Sequence, residues 1–180
     1  MPRVEDLNVE TLTPEQKAVH ARIAGSRGGV VRGPFAIWMR NPAIADAADK
    51  LGTTLRNGKL DVRLFELMVL VIARHWTAQY EWFAHAKHAP KAGLSDDVIE
   101  AIRTGRTPTF RRDDEQLVYD LVTEMNQTRT LSQATYDRAV AMLGPDLVIE
   151  LITSIGFYTM VAIMLNGFDA PVPGGERPLP

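Results

Sequence analysis

The chain has 180 residues, a length typical of a single domain with one hydrophobic core. Its 20 Lys and Arg residues nearly balance 22 Asp and Glu residues without any basic run, so neither nucleic acid nor an acidic membrane surface is an expected partner. Cysteine is absent, which excludes disulfides, thiolate metal sites and thiol redox chemistry. The first residues lack the pattern of a secretory signal, so a cytoplasmic protein is expected.

Caps, prolines and glycines indicate where helices begin and end. A capping box, Thr13-Pro14-Glu15-Gln16, begins the first helix. Residues 60–73 are apolar nearly all round, which would fit a buried strand, but their length and lack of Gly and Pro favour a helix. No segment alternates with period 2, so we predict an all-α fold. The predicted helices cover residues 13 to about 25 or 27, 41–56, 60–73, 77 to about 91, 95–105, 113 to beyond 125, 132–143 and 146–165, with a buried turn or short helix over 34–38.

The end of the chain combines an apolar helix with a Pro/Gly-rich segment. Residues 147–165 are nearly long enough to span a bilayer, but polar residues interrupt them, so a buried core helix or a subunit-interface helix is favoured over a membrane span. Residues 168–180 are expected to form an extended arm that is disordered or laid across a neighbour. The predicted single helical domain therefore covers residues 1–167.

Glu66 lies inside the most apolar predicted helix. A carboxylate buried there without a partner would be costly or would have a raised pKa, so Glu66 is a candidate for chemistry. The alternative is that Glu66 lies on a narrow exposed stripe or pairs with Arg63 or Arg74.

Glu81, His85 and His88 follow in the next predicted helix. The i, i+4 spacing of Glu81 and His85 places them on one helix face as a possible acid/base pair. The alternative is a solvated pair that only stabilises the helix. Two histidines and a carboxylate would also allow a metal site, although the spacing is a weak signature of one.

Other polar and aromatic residues near these segments are weaker candidates for substrate binding. Arg32 or Arg74 is positioned in the sequence to hold a substrate carboxylate. Trp38 and Tyr80 would supply aromatic surface, although such residues more often belong to a core or an interface. The glycines near residue 30 do not have the spacing of a phosphate-binding loop, so nucleotide binding has no support.

Taken together, several segments resemble the carboxymuconolactone decarboxylase family, which includes the alkylhydroperoxidase D proteins. The resemblance is close over about residues 35 to 105 and looser to the end of the last helix. The family is all-helical and usually assembles as trimers or hexamers, so the resemblance implies an alkylhydroperoxidase D-like helical bundle that is a homotrimer or homohexamer. The segments are Arg63-Leu64-Phe65-Glu66-Leu67, Ala73-Arg74, residues 78–85 and Ala92-Gly93-Leu94-Ser95.

The resemblance also indicates which branch of the family is relevant. The peroxidase branch has a C-x-x-C pair whose cysteines would fall on Ala78 and Glu81, so both thiols are missing here. The decarboxylase branch uses acid/base groups with no metal and no organic cofactor. By this resemblance Glu66, Glu81 and His85 would form one catalytic site.

The leading functional hypothesis is a cofactor-independent lyase that acts on a small organic acid or lactone, with decarboxylation as the first case. His85 would donate the proton, and Glu81 would orient and charge His85 or shuttle its proton. Glu66, held near its neutral form by its apolar helix, would relay protons or hold a lactone oxygen. One alternative is a non-catalytic helical oligomer that binds a ligand or partner, marked by an open pocket in which Glu66 and His85 lie far apart. Another is a metal-dependent hydrolase that uses His85 and His88.

Overall fold

A computed structural model describes residues 3–5, 7–25 and 27–180 of the chain. All regular secondary structure in these residues is helical, which confirms the all-α prediction. Short 3-10 turns cover Val9–Thr11 and Pro173–Gly175. The α-helices are α1 (Pro14–Gly25), α2 (Pro34–Trp38), α3 (Pro42–Arg56), α4 (Val62–His75), α5 (Gln79–His85), α6 (Asp96–Arg103), α7 (Asp113–Thr128), α8 (Gln133–Leu143) and α9 (Pro145–Gly167).

The centre of the fold is α4, the apolar segment that we predicted to be a helix over residues 60–73. The Asp61 side chain caps it by accepting a hydrogen bond from the Arg63 amide. Residues 63–73 are all buried, because α5, α6, α7 and α9 pack around this helix. Glu66 is therefore held inside the core and does not lie on an exposed stripe.

Helix α5 is shorter than the sequence predicted. It ends at His85, and residues 86–93 form turns instead of continuing to about Lys91. Pro90 prevents a regular helix from reaching Lys91, since proline has no amide hydrogen and disfavours helical backbone in the residue before it. Gly93 has φ +96°, in agreement with the left-handed position predicted for it. His88 lies beyond the end of α5, so it does not share a regular helix face with Glu81 and His85 as predicted.

Helix α9 is apolar and long, and it packs against α2, α3, α4, α5 and α8. Within the described residues it is the helix whose length and composition alone would allow a membrane span. That test is weak, because the core helix of a soluble protein passes it as well. In this fold α9 contributes Leu151, Phe157 and Tyr158 to the hydrophobic core.

The C-terminal arm lies against its own chain. Gln79 and Leu179 exchange two hydrogen bonds, of 3.0 and 3.1 Å, and the Arg103 guanidinium donates to the Pro178 carbonyl at 3.1 Å. The Leu179 side chain is buried in the core. The arm is therefore not the disordered segment that was one of the two expectations, because the buried Leu179 side chain and the hydrogen bonds to its backbone hold it against its own chain.

Candidate active site

Helices α3, α4, α5 and α9 and residues 27–35 surround a cavity of about 670 Å³, which we call the acid/base cavity. Five of the seven residues predicted for a site line it, although they come from separate parts of the chain. They are Arg32, Glu66, Tyr80, Glu81 and His85.

A hydrogen bond joins α4 to α5 in the wall of this cavity. The Nδ1 atom of His85 lies 2.9 Å from Oε2 of Glu66, and both side chains are largely buried. A carboxylate at Nδ1 favours the imidazole tautomer protonated there and leaves Nε2 to exchange protons. Glu66 does not pair with Arg63, which instead binds Glu115 at 2.6 Å and Asp114 at 2.8 Å.

Glu81 is the most deeply buried acid of the cavity. Its residue is 1% exposed, and neither carboxyl oxygen has a hydrogen-bond partner among the described residues. Burial raises the pKa of Glu81 well above its usual value, because desolvation disfavours the charged carboxylate. Glu81 therefore favours the neutral acid, a form that can donate a proton or a hydrogen bond.

The two glutamates have exchanged the parts that the sequence suggested. We expected Glu81 to orient His85 and Glu66 to be the neutral acid, but it is Glu66 that contacts His85. The i, i+4 spacing permits a contact between Glu81 and His85 without requiring it. Here α5 lies between α4 and α9, so Glu81 points into the core while the His85 imidazole reaches across to α4.

Tyr158 of α9 belongs to the site, and the sequence analysis missed it. Its ring packs edge-on against the rings of His85 and Phe65, with centroid distances of 5.3 Å in each case. Burial raises the pKa of Tyr158 to about 12, although the neighbouring Arg56 acts in the opposite direction. The phenol is therefore neutral at ordinary pH and is a further hydrogen-bond donor beside His85. A lone tyrosine in an otherwise apolar helix was the available signal.

Arginines surround the acid/base cavity, and only Arg32 was predicted. Arg27 and Arg56 also line it. Arg27 binds Asp49 at 3.0 Å and lies 3.9 Å above the Phe35 ring. Burial, followed by the charge of Arg56, lowers the pKa of Arg27. Several cations facing one cavity favour a ligand that carries negative charge.

Tyr80 has a fixed position at one edge of the cavity. Gly33 has φ +58°, and a Cβ added there would lie 2.5 Å from Cε1 of Tyr80, so the ring packs directly on the glycine backbone. Tyr80 and Arg32 also line a neighbouring cavity of about 510 Å³. Together they form part of the boundary between the two spaces.

Trp38 and Arg74 do not line the acid/base cavity. Trp38 is buried behind it, with its ring centroid 5.1 Å from that of Phe35 and 6.4 Å from that of Phe157. Arg74 lies eight residues after Glu66, which moves it about 12 Å along α4 and turns it to another face. It lines a separate cavity formed with α6 and α7. Closeness in sequence to the motif therefore did not bring Arg74 to the site.

The proposed pair of metal-ligating histidines does not gain a third ligand. Within residues 3–5, 7–25 and 27–180, no group of three or more His, Asp or Glu side chains is arranged to hold a metal ion. His88 lies near His85 and Glu66 at the cavity wall. Burial lowers the pKa of His88, and the charge of Glu66 opposes that shift.

Comparison with known proteins identifies the fold and no closer relationship. No protein-family model matches this sequence, and no curated protein matches it. Among solved structures, the chain is similar to a cysteine-to-alanine variant of the debrominase Bmp8 in complex with 2,3,4-tribromopyrrole. The TM-score is 0.71 at 15% sequence identity, over 97% of this chain and 92% of that chain. The chain therefore has the alkylhydroperoxidase D-like fold that the resemblance implied.

Proposed function

We propose that this protein is an acid/base lyase that acts on a small organic acid or lactone, with decarboxylation as the leading reaction. The observation that carries the proposal is the 2.9 Å hydrogen bond between Glu66 and His85 in a cavity that also contains the buried Glu81. A carboxyl group hydrogen-bonded to His85 and a neutral carboxylic acid nearby are complementary groups for proton-transfer catalysis.

The chemistry that these groups would perform is protonation at carbon. In decarboxylation the bond to the carboxylate carbon breaks, carbon dioxide leaves, and the electron pair stays behind as an enolate. The imidazolium form of His85, held through Nδ1 by Glu66, would deliver its Nε2 proton to that carbon, and the resulting neutral imidazole would take up a proton from solvent before the next turnover. The neutral Glu81 carboxyl and the Tyr158 phenol would donate hydrogen bonds to the enolate oxygen.

The substrate class follows from the charge of the cavity wall. Arg27, Arg32 and Arg56 can hold carboxylate groups by paired hydrogen bonds. Arg32 makes no hydrogen bond or ion pair with any residue that the structure describes, so its guanidinium is available to a ligand. The apolar side chains of Phe157 and Val161 complete the wall and suit the carbon skeleton of a small cyclic acid. Thiol peroxidase chemistry has no part in this proposal, because the chain contains no cysteine.

A turnover assay with defined substrates tests the proposal. Carboxymuconolactone and a panel of β-keto acids would be incubated with the protein in D2O, and carbon dioxide release and deuterium incorporation at carbon would be followed by NMR. Replacing His85→Ala should reduce turnover by about 100-fold or more, a typical contribution of general acid/base catalysis. The control His20→Ala changes a histidine outside the acid/base cavity and should keep the rate.

Two outcomes would contradict the proposal. One is turnover by His85→Ala at the wild-type rate while the helical circular dichroism of both proteins is the same. The other is wild-type protein that binds organic acids in the acid/base cavity but neither releases carbon dioxide nor exchanges protons. That second result would support the ligand-binding alternative, although the contact between Glu66 and His85 is the opposite of the separation expected for it.

A further inference from the structure

Arg74, which the proposed function does not use, lines a cavity of about 270 Å³ on the far side of α4. We call it the anion cavity. It lies between the last turn of α4, the end of α6 and the second half of α7. Its polar wall consists of two arginines, a histidine, two side-chain amides and two hydroxyls, with no Asp or Glu among the described residues. The wall is therefore rich in hydrogen-bond donors and positive charge.

Two donors in this wall are buried without partners. The Nε atom of Arg74 and the Nδ2 atom of Asn126 are inaccessible to solvent and make no hydrogen bond to any described residue. Leaving a buried donor unsatisfied is costly, and the cost is larger for a charged group. Both atoms belong to side chains that line the same cavity, so a small rotation of each side chain would bring both donors to one ligand.

Arg74 also has no counter-ion among the residues that the structure describes. Arg63, on the same helix, binds two acidic side chains, whereas the guanidinium of Arg74 forms no ion pair with any residue in the described part of the chain. Arg106 adds a second positive charge, and its one side-chain hydrogen bond runs from Nε to the Thr104 hydroxyl at 3.0 Å. Negative charge from a ligand would therefore stabilise this half-buried arginine and the cation near it.

Backbone geometry holds Arg74 in place. Gly105 has φ +74°, and a Cβ added to it would lie 3.0 Å from Nη2 of Arg74. The backbone after α6 therefore closes against one edge of the guanidinium. The position of Arg74 at the C-terminal end of α4 favours its charge but supplies no partner for its Nε atom.

We infer that the anion cavity binds a phosphate-type oxyanion, either free phosphate or the phosphoryl group of a small metabolite. The planar fork of a guanidinium matches two oxygens of such a group, and the Asn126 amide can donate to a third. The cavity is distinct from the acid/base cavity, and the two share no lining residue. The inference is therefore independent of the proposed lyase activity.

Phosphate titration of the full chain tests this inference. Inorganic phosphate, and in a second arm glycerol phosphate, would be titrated at constant ionic strength while binding is followed by calorimetry and by thermal unfolding. The Arg56→Gln background removes a cation from the acid/base cavity, where an anion could also bind. In that background we expect saturable binding of one ion per chain. Tighter binding of glycerol phosphate than of phosphate would indicate that the ligand is a phosphorylated metabolite.

The variants assign the binding to the anion cavity. Arg74→Gln and Asn126→Ala should each weaken phosphate binding, the former by at least about tenfold, as expected for the loss of a charge-assisted pair. Without phosphate, Arg74→Gln should unfold at the wild-type temperature or higher, because it removes an unpaired charge. Lys17→Gln removes an exposed charge elsewhere and should leave the affinity unchanged.

Three results would overturn the inference. The first is no saturable binding of either phosphate compound to the Arg56→Gln protein. The second is an equal loss of affinity in Lys17→Gln and Arg74→Gln, which would indicate only a general effect of charge. The third is unchanged phosphate affinity in Asn126→Ala. This variant keeps the net charge of the protein, so it tests the inference even if Arg74→Gln does not fold.

Discussion

Glu66 and Glu81 are two buried carboxyl groups of one cavity whose surroundings give them different chemistry. Glu66 has a hydrogen-bonded imidazole partner, whereas the oxygens of Glu81 have none among the described residues. A partnered carboxylate can hold a positive charge on its neighbour, and an unpartnered one is favoured as the neutral acid. The same residue type therefore supplies an orienting group and a donor within one site.

The neutral state of Glu81 predicts a pH-dependent effect on stability. Its pKa in the folded protein is raised above the unfolded value of about 4.3. The neutral acid therefore contributes fully to stability below that pH, and the contribution is lost as the pH rises. Glu81→Gln, which stays neutral, should become more stable than the wild type as the pH increases from about 5 to about 8, by about 1 kcal/mol or more. Urea unfolding at both pH values measures the difference.

An exposed glutamate provides the control for this prediction. Glu176→Gln removes the same charge at an exposed position, so its stability relative to the wild type should not change over the same pH range. If Glu81→Gln behaves in the same way as Glu176→Gln, then Glu81 is ionised in the folded protein and is not the neutral donor of the proposed mechanism.

At the scale of residues, the sequence predicted the acid/base groups better than their neighbours. Glu66 stood out because a carboxylate interrupts an apolar helix, and the family resemblance connected it to His85. Tyr158 and Arg56 could not be found in this way, because they come from α9 and α3 and reach the site only through helix packing. The orientation of Glu81 also depends on packing, since helical spacing allows more than one partner.

At the scale of elements, α4 connects the site to the rest of the bundle. It carries Glu66 on one side, and its first turn is attached to α7 through Arg63, which binds Asp114 and Glu115. This ion-pair cluster is largely buried, so removal of one partner leaves charge uncompensated in the interior. The position of Glu66 thus depends on a charge cluster one turn before it.

Asp114 gives this cluster a measurable acid dependence. Hydrogen bonds from Arg112 and Arg63 lower the pKa of Asp114 from 3.8 to about 2. Its contribution to stability is therefore fully present above the unfolded pKa and is lost as the pH falls from about 4 towards about 2. Because the side chain is 22% exposed, we expect Asp114→Asn to reduce the free energy of unfolding near neutral pH by about 1 to 2 kcal/mol.

The same variant should differ less from the wild type at pH about 3, where the wild-type carboxylate is partly protonated. Urea unfolding at both pH values gives the comparison. Asp97→Asn is a matched control, because Asp97 and Asp114 both lie in the first turn of a helix, α6 and α7 respectively. Asp97 differs in that it is exposed. A difference for Asp114→Asn that stays constant with pH would mean that the carboxylate does not stabilise the fold through its charge.

The helices and most of their boundaries could be predicted from local sequence signals. The end of α5 and the course of the C-terminal arm could not be predicted in this way. Helix α5 ends at His85 and not near residue 91, and Pro90 excludes a regular helix through its own position whatever the side-chain periodicity. The arm was expected to be disordered or laid across a neighbour because of its prolines and glycines. Its course depends instead on Leu179, which finds a buried position against distant helices.

At the scale of the whole molecule, α9 leaves an apolar stripe uncovered. Ile149, Thr153, Gly156, Met160 and Ile163 follow at alternating spacings of four and three residues and are exposed along one helix face. Nothing lies within 4 Å of a Cβ added to Gly156, so no contact within the chain requires glycine there. Glycine inside a helix is unfavourable, and a closely approaching second helix would explain its presence.

We therefore expect this stripe to be buried between chains in a homotrimer or homohexamer. Light scattering after gel filtration should give three or six times the chain mass of 20.0 kDa. Changing both Ile149 and Ile163 to Lys places charges in the contact and should yield monomers that keep their helical circular dichroism. Ile44→Lys provides the control, since Ile44 of α3 is 49% exposed and Ile163 is 48% exposed. A wild-type monomer at micromolar concentration, or equal dissociation by Ile44→Lys, would mean that the stripe is not the subunit contact.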